Sequence, residues 1–343
     1  MAKGIRISAS ETIFMLPLFV AAAGAGWLAY SYHKRRYRPV GPTFSGSSEE
    51  PMQTAFLTDL SESIPSGKSA LWCVNMELAW VKLRREIFAG GPIVREHPMA
   101  ARLNASQAEW QGPPELLQVG VKQEWPAPDT LRIDLDSKLM ASIPFTLPFF
   151  DNPEPLDFQG VPVRCFGIRS RDASGQQLLR DQVGILYRGE GGKEFVIDPC
   201  LTSKPFRLLL ARVDREDTLE LTVDRVRSLC ADSRPFRLGS RSTMLIPMQC
   251  WDIQHLYTEL SGPISPPTNA VRAEVQACQR LQFRLDRNGA EMISFVKLSL
   301  MTVFGRATDY HFDRPYLMLL ENRATGQTVM AAWIENAELL VPF

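Results

Sequence analysis

The chain has 343 residues, enough for one large domain or two small ones with a sizeable hydrophobic core. Its 38 lysines and arginines balance 38 aspartates and glutamates, so the formal net charge is zero. This balance argues against a nucleic-acid partner, since proteins that bind nucleic acid usually carry a basic surplus.

An uncharged, mostly apolar segment predicts a transmembrane helix at residues 12–32, after a short tail at residues 1–11. About 20 residues cross the hydrocarbon core of a bilayer, so the lipid bilayer is the predicted partner of this segment. Trp27 and Tyr30 would lie at the membrane interface, where aromatic residues are enriched. A cleaved signal peptide is the alternative, because the alanines at 21–23 offer small residues for cleavage.

Basic residues follow the segment more densely than they precede it, and they are Lys34, Arg35, Arg36 and Arg38. The positive-inside rule therefore favours an uncleaved anchor and a cytoplasmic domain, while a periplasmic or extracellular location stays open. These residues could bind anionic lipid, although an ordinary stop-transfer flank also accounts for them. The flank and a flexible, breaker-rich linker occupy residues 33–53, and the predicted domain occupies residues 54–343.

The six cysteines are widely separated, mostly among apolar neighbours: Cys73, Cys165, Cys200, Cys230, Cys250 and Cys278. They could form three disulfides in an oxidising compartment, but a domain of this size does not need them. No Cys-x-x-Cys pair is present, so the sequence predicts neither a zinc site nor a redox site. Buried free thiols are the preferred interpretation.

The first half of the domain gives few clear elements. Apolar spacing predicts a helix at residues 70–88, ended by a Gly-Gly pair. Residues 92–130 are rich in Pro, Gly, Glu and Gln and show few strand signals. Strand patterns follow at residues 131–135 and 139–149.

Short strands and turns alternate in the second half. β-type runs occur at residues 161–168, 182–187 and 194–197. Residues 188–193 predict a hairpin turn and not a phosphate-binding loop, because the required Gly-Lys-Ser/Thr spacing is missing. The pattern then predicts a helix at 218–230. A strand at 244–248 and a helix at 251–262 are expected only from a resemblance of these segments to a known family.

The C-terminal region carries the clearest pattern. Apolar and polar residues alternate at 281–286, which predicts a half-buried strand, and the turn signal Arg287-Asn288-Gly289 follows. Residues 290–311 contain no helix start or stop, and they are long for a connection, since most connections have ~4–6 residues. Two further strands are predicted at 317–320 and 328–334, joined by a turn at 322–326.

This order of parts resembles the C-terminal third of the serpins. The run Asp286-Arg287-Asn288-Gly289-Ala290-Glu291 is similar to the serpin hinge, Glu-x-Gly-(Thr/Ala)-Glu. The run Phe312-Asp313-Arg314-Pro315-Tyr316 is similar to the Phe-x-(Asn/Asp)-(Arg/Lys)-Pro-Phe strand start that follows the reactive-centre loop. Residues 139–149 resemble the central strand leading to Trp-x-x-Pro-Phe, with Phe145 in place of the Trp. The resemblance implies a serpin-like α+β domain with several sheets.

The resemblance also implies roles for single residues. Asp286, Gly289, Ala290 and Glu291 would form the hinge of a reactive-centre-type loop at residues 290–310, with a candidate bait bond at Val303-Phe304. Asn75 loosely resembles the Asn that precedes a Ser-Pro-x-Ser-Ile segment in the family, but the Ser-Pro is absent here. Because that segment lines the region where the central sheet opens, its loss weighs against opening.

Inhibitory serpins insert the cleaved loop into the central sheet, which small residues after the hinge make easier. Gly289 and Ala290 fit this requirement, but Met292 would be bulky on the buried side. Alternation places Ile293 and Phe295 outward, as a candidate contact surface. An alternative is that residues 291–302 already lie in the native sheet.

We therefore expect a membrane-tethered, non-inhibitory protein-binding or structural subunit, with a membrane protein or a protease as its unidentified partner. A suicide-substrate inhibitor of a serine or cysteine protease is the alternative. An inhibitor would need a sheet that gains stability when the cleaved loop joins it.

An enzyme is the weakest alternative. The histidines are His33, His97, His255 and His311, and none has His-x-x-x-His or His-Glu-x-x-His spacing. No Gly-x-Ser-x-Gly elbow is present. His255 and Asp252 could act as a general base and its orienting group on the helix predicted there, but a half-buried histidine is the preferred interpretation. The sequence predicts no cofactor, no metal and no nucleic-acid partner.

Overall fold

Strands are the commonest regular elements of the described chain. The computed structural model describes residues 53–94, 96–127, 130–169, 176–231, 234–264, 272–292 and 309–343. In chain order the strands are β1 (Thr54–Leu57), β2 (Ser69–Cys73), β3 (Leu117–Ala127), β4 (Thr130–Leu139), β5 (Ala141–Pro144), β6 (Phe150–Asp151), β7 (Leu156–Phe158), β8 (Val161–Val163), β9 (Cys165–Ile168), β10 (Gly184–Arg188), β11 (Phe195–Asp198), β12 (Phe206–Arg212), β13 (Phe236–Arg237), β14 (Thr243–Pro247), β15 (Gln249–Ile264), β16 (Arg272–Asp286), β17 (Gly289–Met292), β18 (Asp309–His311), β19 (Tyr316–Asn322) and β20 (Thr328–Ile334). The α-helices are α1 (Asn75–Ile87), α2 (Pro98–Ala105), α3 (Gln177–Gln182) and α4 (Leu219–Cys230).

The largest sheet has eight strands in the order β1-β2-β20-β19-β12-β11-β10-β13. Every residue of the central hairpin, β19 and β20, is buried, so both faces of the sheet are covered there. The strands predicted at 317–320 and 328–334 are confirmed, and so is the hairpin turn predicted at 188–193, which joins β10 to β11.

Helix α4 packs on this sheet, and an ion pair between Arg227 of α4 and Glu321 of β19 joins the two. Glu321 of β19 is fully buried, and its two carboxylate oxygens accept hydrogen bonds from different arginines. Arg207 of β12 donates from Nη2 to one oxygen at 2.7 Å, and Arg227 of α4 donates from Nη2 to the other at 2.7 Å. Burial of a carboxylate is tolerated because charged donors satisfy it on both sides.

The helix predicted at 218–230 is confirmed as α4. It begins after Thr218, whose Oγ1 accepts a hydrogen bond from the Leu221 backbone N–H at 3.1 Å. Such a side chain satisfies one of the donors that a helix start leaves without a partner.

A second large sheet contains β3, β4, β16, β17 and β5, and β15 pairs along the other edge of β16. The strands predicted at 131–135 and 281–286 are confirmed as parts of β4 and β16. The α+β class is therefore confirmed: mixed, extensive sheets carry few helices.

A four-stranded sheet has the order β18-β14-β9-β6, and its strands alternate along the chain with strands of the two larger sheets. Strands β9 and β14 approach each other closely at Gly167, where a Cβ atom would lie 1.8 Å from the Met244 carbonyl oxygen. Only glycine fits there, and its φ of +156° is one that side chains disfavour. The strand predicted at 244–248 is confirmed as β14.

Two predicted helices are wrong in whole or in part. Residues 251–262 belong to strand β15, because Trp251, Ile253 and Tyr257 are buried at even spacing, as one face of a strand requires. Residues 70–73 belong to β2, whose five residues are all buried, and helix α1 begins only at Asn75.

The region at 92–130 holds more structure than its composition indicates. It contains α2 and the 11-residue strand β3. Helix α2 begins after His97, whose Nδ1 accepts a hydrogen bond from the Met99 N–H at 3.3 Å. The start of α2 was missed because its N-cap is a histidine, which is not one of the usual capping residues.

All six cysteines are free thiols, so the three-disulfide alternative is wrong. Three are buried, as predicted, but Cys230 and Cys250 are half-buried and Cys278 is exposed. Burial raises the pKa of the Cys73 thiol to about 11 and so keeps it protonated at neutral pH.

No helix among the described residues is long and apolar enough to cross a membrane. The transmembrane helix predicted at 12–32, the tail at 1–11 and nearly all of the flank and linker at 33–53 lie outside the described residues. They stay predictions.

Candidate functional site

The predicted hinge forms a hairpin with β16. Asp286 and Gly289 pair across the turn Arg287-Asn288, and the chain returns as β17. The Asp286 Oδ1 accepts a hydrogen bond from the Asn288 backbone N–H at 2.8 Å, which stabilises the turn. The turn signal in the sequence therefore lies at the start of β17.

The second edge of β17 pairs with β5. Gly289 lies opposite Pro144 and Met292 lies opposite Ala141 in an antiparallel ladder. Strand β17 is therefore enclosed on both edges, between β16 and β5. Of the residues 291–302 that the alternative places in the native sheet, Glu291 and Met292 belong to β17, and 293–302 lie outside the described residues.

Backbone bonds also attach the turn to the segment after β5. The Phe145 N–H donates to the Asn288 carbonyl at 2.9 Å, and the Phe149 N–H donates to the Arg287 carbonyl at 2.8 Å. The hinge is thus fixed at its turn as well as along its strand.

Gly289 allows this close approach. Its φ is +148°, and a Cβ atom at this position would lie 2.4 Å from the Ile143 carbonyl oxygen and 2.9 Å from the Pro144 Cα. Both atoms belong to the backbone of β5, so no side-chain movement could relieve the clash. The glycine selected in the sequence as a hinge residue is therefore the point of closest contact between β17 and β5.

Strands β16 and β4 pair directly at one end and are separated by β17 at the other, and we call this arrangement the fork. Strand β16 also pairs in parallel with β4, from Arg272–Thr130 to Glu274–Arg132. Between that pairing and β17, no strand in the described parts of the chain pairs with the facing edges at 275–282 of β16 and 133–140 of β4 and its continuation. These edges present backbone donors and acceptors that could take another strand.

Helix α1 holds one arm of the fork. The Asn75 Nδ2 donates to the Ser137 carbonyl at 3.2 Å, and the Ser137 hydroxyl donates to Asn75 Oδ1. This double contact ties the start of α1 to β4 within the stretch at 133–140. The sequence comparison selected Asn75 but missed Ser137, because nothing local relates residues that are 62 positions apart.

Aromatic packing fills the space beneath the hinge. The rings of Phe145 and Phe149 lie 5.0 Å apart in an edge-on arrangement, and Phe166 lies 6.1 Å from the first and 5.9 Å from the second. Ala290 is 3% exposed, so its side chain lies on the buried face as predicted. A phenylalanine at 145 therefore still supplies a buried ring where the resemblance leads one to expect tryptophan.

The acid–base pair considered at His255 and Asp252 is not brought together. Both lie on β15 three positions apart, so they point to opposite faces of the sheet. The His255 ring stacks on Phe56 at 5.0 Å. Asp252 instead binds Arg280, whose Nε donates at 2.7 Å, and this hydrogen bond lowers the pKa of the Asp252 carboxyl.

Several predicted site residues lie outside the described residues. They are the bait bond Val303 and Phe304, the contact residues Ile293 and Phe295, and the flank residues Lys34, Arg35, Arg36 and Arg38. The described chain resumes at Asp309 in β18, which pairs with β14. For Glu291 the structure gives backbone pairing with Arg284 and Ser142.

A cleft of about 860 Å³ lies between α1 and the edge strand β3. Its charged rim is neutralised by two ion pairs, Lys82–Glu86 at 3.6 Å and Arg85–Glu109 at 3.0 Å. Within the described ranges, no group of three or more His, Cys, Asp or Glu residues is placed to hold a metal ion.

No protein-family model and no curated protein matches this chain. Similar solved structures include a serpin from the trematode Schistosoma haematobium, with 11% identity and a TM-score of 0.37 over 60% of this chain and 56% of the serpin. Human thyroxine-binding globulin complexed with thyroxine has 11% identity and a TM-score of 0.38 over 62% of this chain and 58% of the globulin. Serpin48 of the insect Tenebrio molitor has 11% identity and a TM-score of 0.33 over 60% and 55%.

The structural neighbours are serpins. They belong to the family that the sequence resembles. This chain spans a little over half the length of each neighbour. Likenesses at such identities and TM-scores carry no statement about activity, so function has to be argued from the forked sheet itself.

Proposed function

We propose that the protein is a membrane-tethered, serpin-like, non-inhibitory subunit that binds another protein or has a structural role. The observation that carries the proposal is that Gly289–Met292 is already paired on both edges, between β16 and β5. A loop that acts by joining the sheet after cleavage forms this pairing only once it has been cut. Here part of it is already made.

The geometry of the hinge reduces the free energy that insertion of the loop after cleavage could release. Each backbone hydrogen bond contributes ~1 kcal/mol net, and those of β17 no longer add to the gain on cleavage. The contact between Asn75 and Ser137 also holds β4 in place at the fork. Both features favour a sheet that stays as it is.

The buried side chain of Ala290 fixes the phase of the strand. If alternation continues along the chain, Ile293 and Phe295 face outward from the sheet. They form the surface that we assign to the protein partner. A catalytic role is not part of the proposal, and the domain is placed on the cytoplasmic side of the membrane.

The test is thermal unfolding of the protein before and after a nonspecific protease nicks the segment at 290–310. We expect the melting temperature to stay the same or to fall, since the hinge is already paired. A control digest of protein protected at this segment by a bound antibody fragment separates the effect of the nick from general damage. A large rise in melting temperature would refute the non-inhibitory proposal.

One observation favours the inhibitor alternative. Among the described residues no strand pairs with the facing edges at 275–282 and 133–140, and the register of β17, continued, brings residue 293 opposite 282 and 140. A suicide-substrate inhibitor of a serine or cysteine protease would extend β17 along these edges after cleavage at Val303-Phe304. A rise in melting temperature on nicking would support it, and a panel of proteases would then identify the target.

A further inference from the structure

An exposed aromatic residue and three arginines lie together at one edge of the eight-stranded sheet. Strand β13 ends the sheet, and Phe236 on it is 66% exposed. Arg237 follows it in the strand, Arg234 lies two residues before it and Arg241 lies in the next turn, and all three are exposed. A single exposed apolar side chain is common on protein surfaces, so the three cations beside Phe236 are what distinguish this edge.

Among the described residues, the arginines at this edge have no acidic partner. In the described parts of the chain, Arg234, Arg237 and Arg241 form no ion pair, and the Arg237 guanidinium donates to the Asp181 backbone carbonyl. The Asp181 carboxylate itself is buried and accepts from the Gln177 side chain at 3.1 Å.

A fourth cation lies just beneath the surface. Arg180 of α3 is 3% exposed, and its guanidinium donates to the carbonyls of Gly239 and Ser242 and to the Gln176 side chain, without a carboxylate partner among the described residues. Carbonyl groups satisfy its donors but do not cancel its charge. The edge therefore carries a local positive excess on a chain whose net charge is zero.

We infer that the β13 edge (Arg234, Phe236, Arg237 and Arg241) lies on the membrane, with its arginines on anionic lipid headgroups and Phe236 at the boundary with the acyl chains. The inference rests on the membrane tether proposed above. An aromatic ring flanked by long basic side chains fits this interface, because the ring enters the headgroup layer while the guanidinium groups stay with the phosphates. A tether keeps the edge at high local concentration near the lipid, so weak contacts suffice.

The linker is long enough for this arrangement. Strand β1, which follows the linker, and β13 lie at opposite edges of eight strands, about 34 Å apart at ~4.8 Å per strand. Residues 33–53 span at most ~70 Å when extended. The sheet can therefore lie along the bilayer with both edges near its surface.

The experiment is amide hydrogen exchange of the full chain in nanodiscs of neutral phosphatidylcholine or of phosphatidylcholine with 30% phosphatidylserine. We expect exchange in peptides covering 234–241 to slow about fivefold or more in the anionic discs, because each basic residue near such a surface changes its occupancy roughly fivefold. The variant R234E/R241E should lose this protection. The matched control, K68E/K204E, reverses two exposed lysines elsewhere and should keep it.

Three outcomes would overturn the inference. They are equal exchange in the two kinds of disc, protection that survives R234E/R241E, and protection in neutral discs by a 20-nucleotide single-stranded DNA, which would show a general polyanion site. Flotation of the full chain with neutral vesicles is measured in parallel. Failure to float refutes the tether, whereas normal flotation without protection refutes the β13 contact alone.

Discussion

The position of β17 in the sheet can be tested at Gly289. The variant Gly289→Ala places a methyl group 2.4 Å from the Ile143 carbonyl oxygen and 2.9 Å from the Pro144 Cα. Real Cβ atoms do not lie so close to backbone atoms, so β17 or β5 must move. Alanine also disfavours the φ of +148° that Gly289 adopts.

The two effects give an expected magnitude. A non-glycine residue in a sparsely populated backbone region costs ~1–3 kcal/mol, and overpacking costs ~1–3 kcal/mol. If β17 leaves β5 instead, about three hydrogen bonds of ~1 kcal/mol each are lost, which limits the total. We therefore expect the free energy of unfolding to fall by about 3 kcal/mol. For the predicted domain at residues 54–343, an unfolding entropy of ~2.1 cal/mol/K per residue makes that a melting temperature lower by about 5 °C.

Thermal unfolding followed by circular dichroism measures this change, and Gly67→Ala is the matched control. Gly67 has a φ of +69°, but a Cβ there meets no atom within 4 Å, so the control isolates the backbone term. That term is ~1–2 kcal/mol. If the two variants melt within 1 °C of each other, the methyl group meets nothing at residue 289. The placement of β17 against β5 would then be wrong.

Three further predictions concern charge and topology. Glu321→Gln should lower the free energy of unfolding, measured in urea, by about 3 kcal/mol, because it leaves two arginines without their buried anion. The exposed control Glu86→Gln should change this free energy by less than ~0.5 kcal/mol. Equal effects of the two variants would contradict the role of the buried carboxylate. The pKa of Asp252 is lowered by Arg280, so its contribution to stability is present above about pH 4 and is lost as the pH falls through the folded-state pKa. Asp252→Asn should therefore flatten the acid side of the stability curve, and superimposable curves would count against this. The exposed thiol of Cys278 should react with an impermeant maleimide only after cells are permeabilised, if the domain is cytoplasmic, and labelling of intact cells that disappears in Cys278→Ser would place the domain outside.

The C-terminal part of the fold could be predicted because its signals are local. The hairpin of β19 and β20 has apolar strands bounded by a turn at 322–326. The turn after Asp286 combines an aspartate that caps its own backbone with a glycine at a positive φ. In each case residues close in the sequence determine the structure.

Strand β15 shows how a family resemblance can mislead, because the helix expected at 251–262 rested on that resemblance. Trp251, Ile253 and Tyr257 have strand spacing and are buried. The strand has 16 residues, well beyond the usual length of ~3–10. Its length is supported by pairing with β16 along nearly its whole course, which no local pattern contains.

The fork itself was beyond the reach of sequence patterns. The parallel pairing of Arg272 with Thr130 joins residues distant in the chain, and so does the contact of Asn75 with Ser137. Sequence reasoning identified one residue of each feature at most. It located the turn between Asp286 and Gly289, because that turn is built from neighbouring residues.

The non-inhibitory and the inhibitor hypotheses predict different stabilities for the nicked protein. In both, β17 is held by Gly289 against β5, and the edges at 275–282 and 133–140 face each other below it. If the stretch after Met292 completed the sheet on cleavage, every added pair would stabilise the nicked protein, and Gly289→Ala would weaken the nicked form more than the intact one. If no residue after β17 joins the sheet, nicking leaves the melting temperature unchanged. Gly289→Ala then lowers the melting temperature equally before and after the nick. Measuring the variant in both forms therefore separates a fixed scaffold from a sheet that still has a strand to gain.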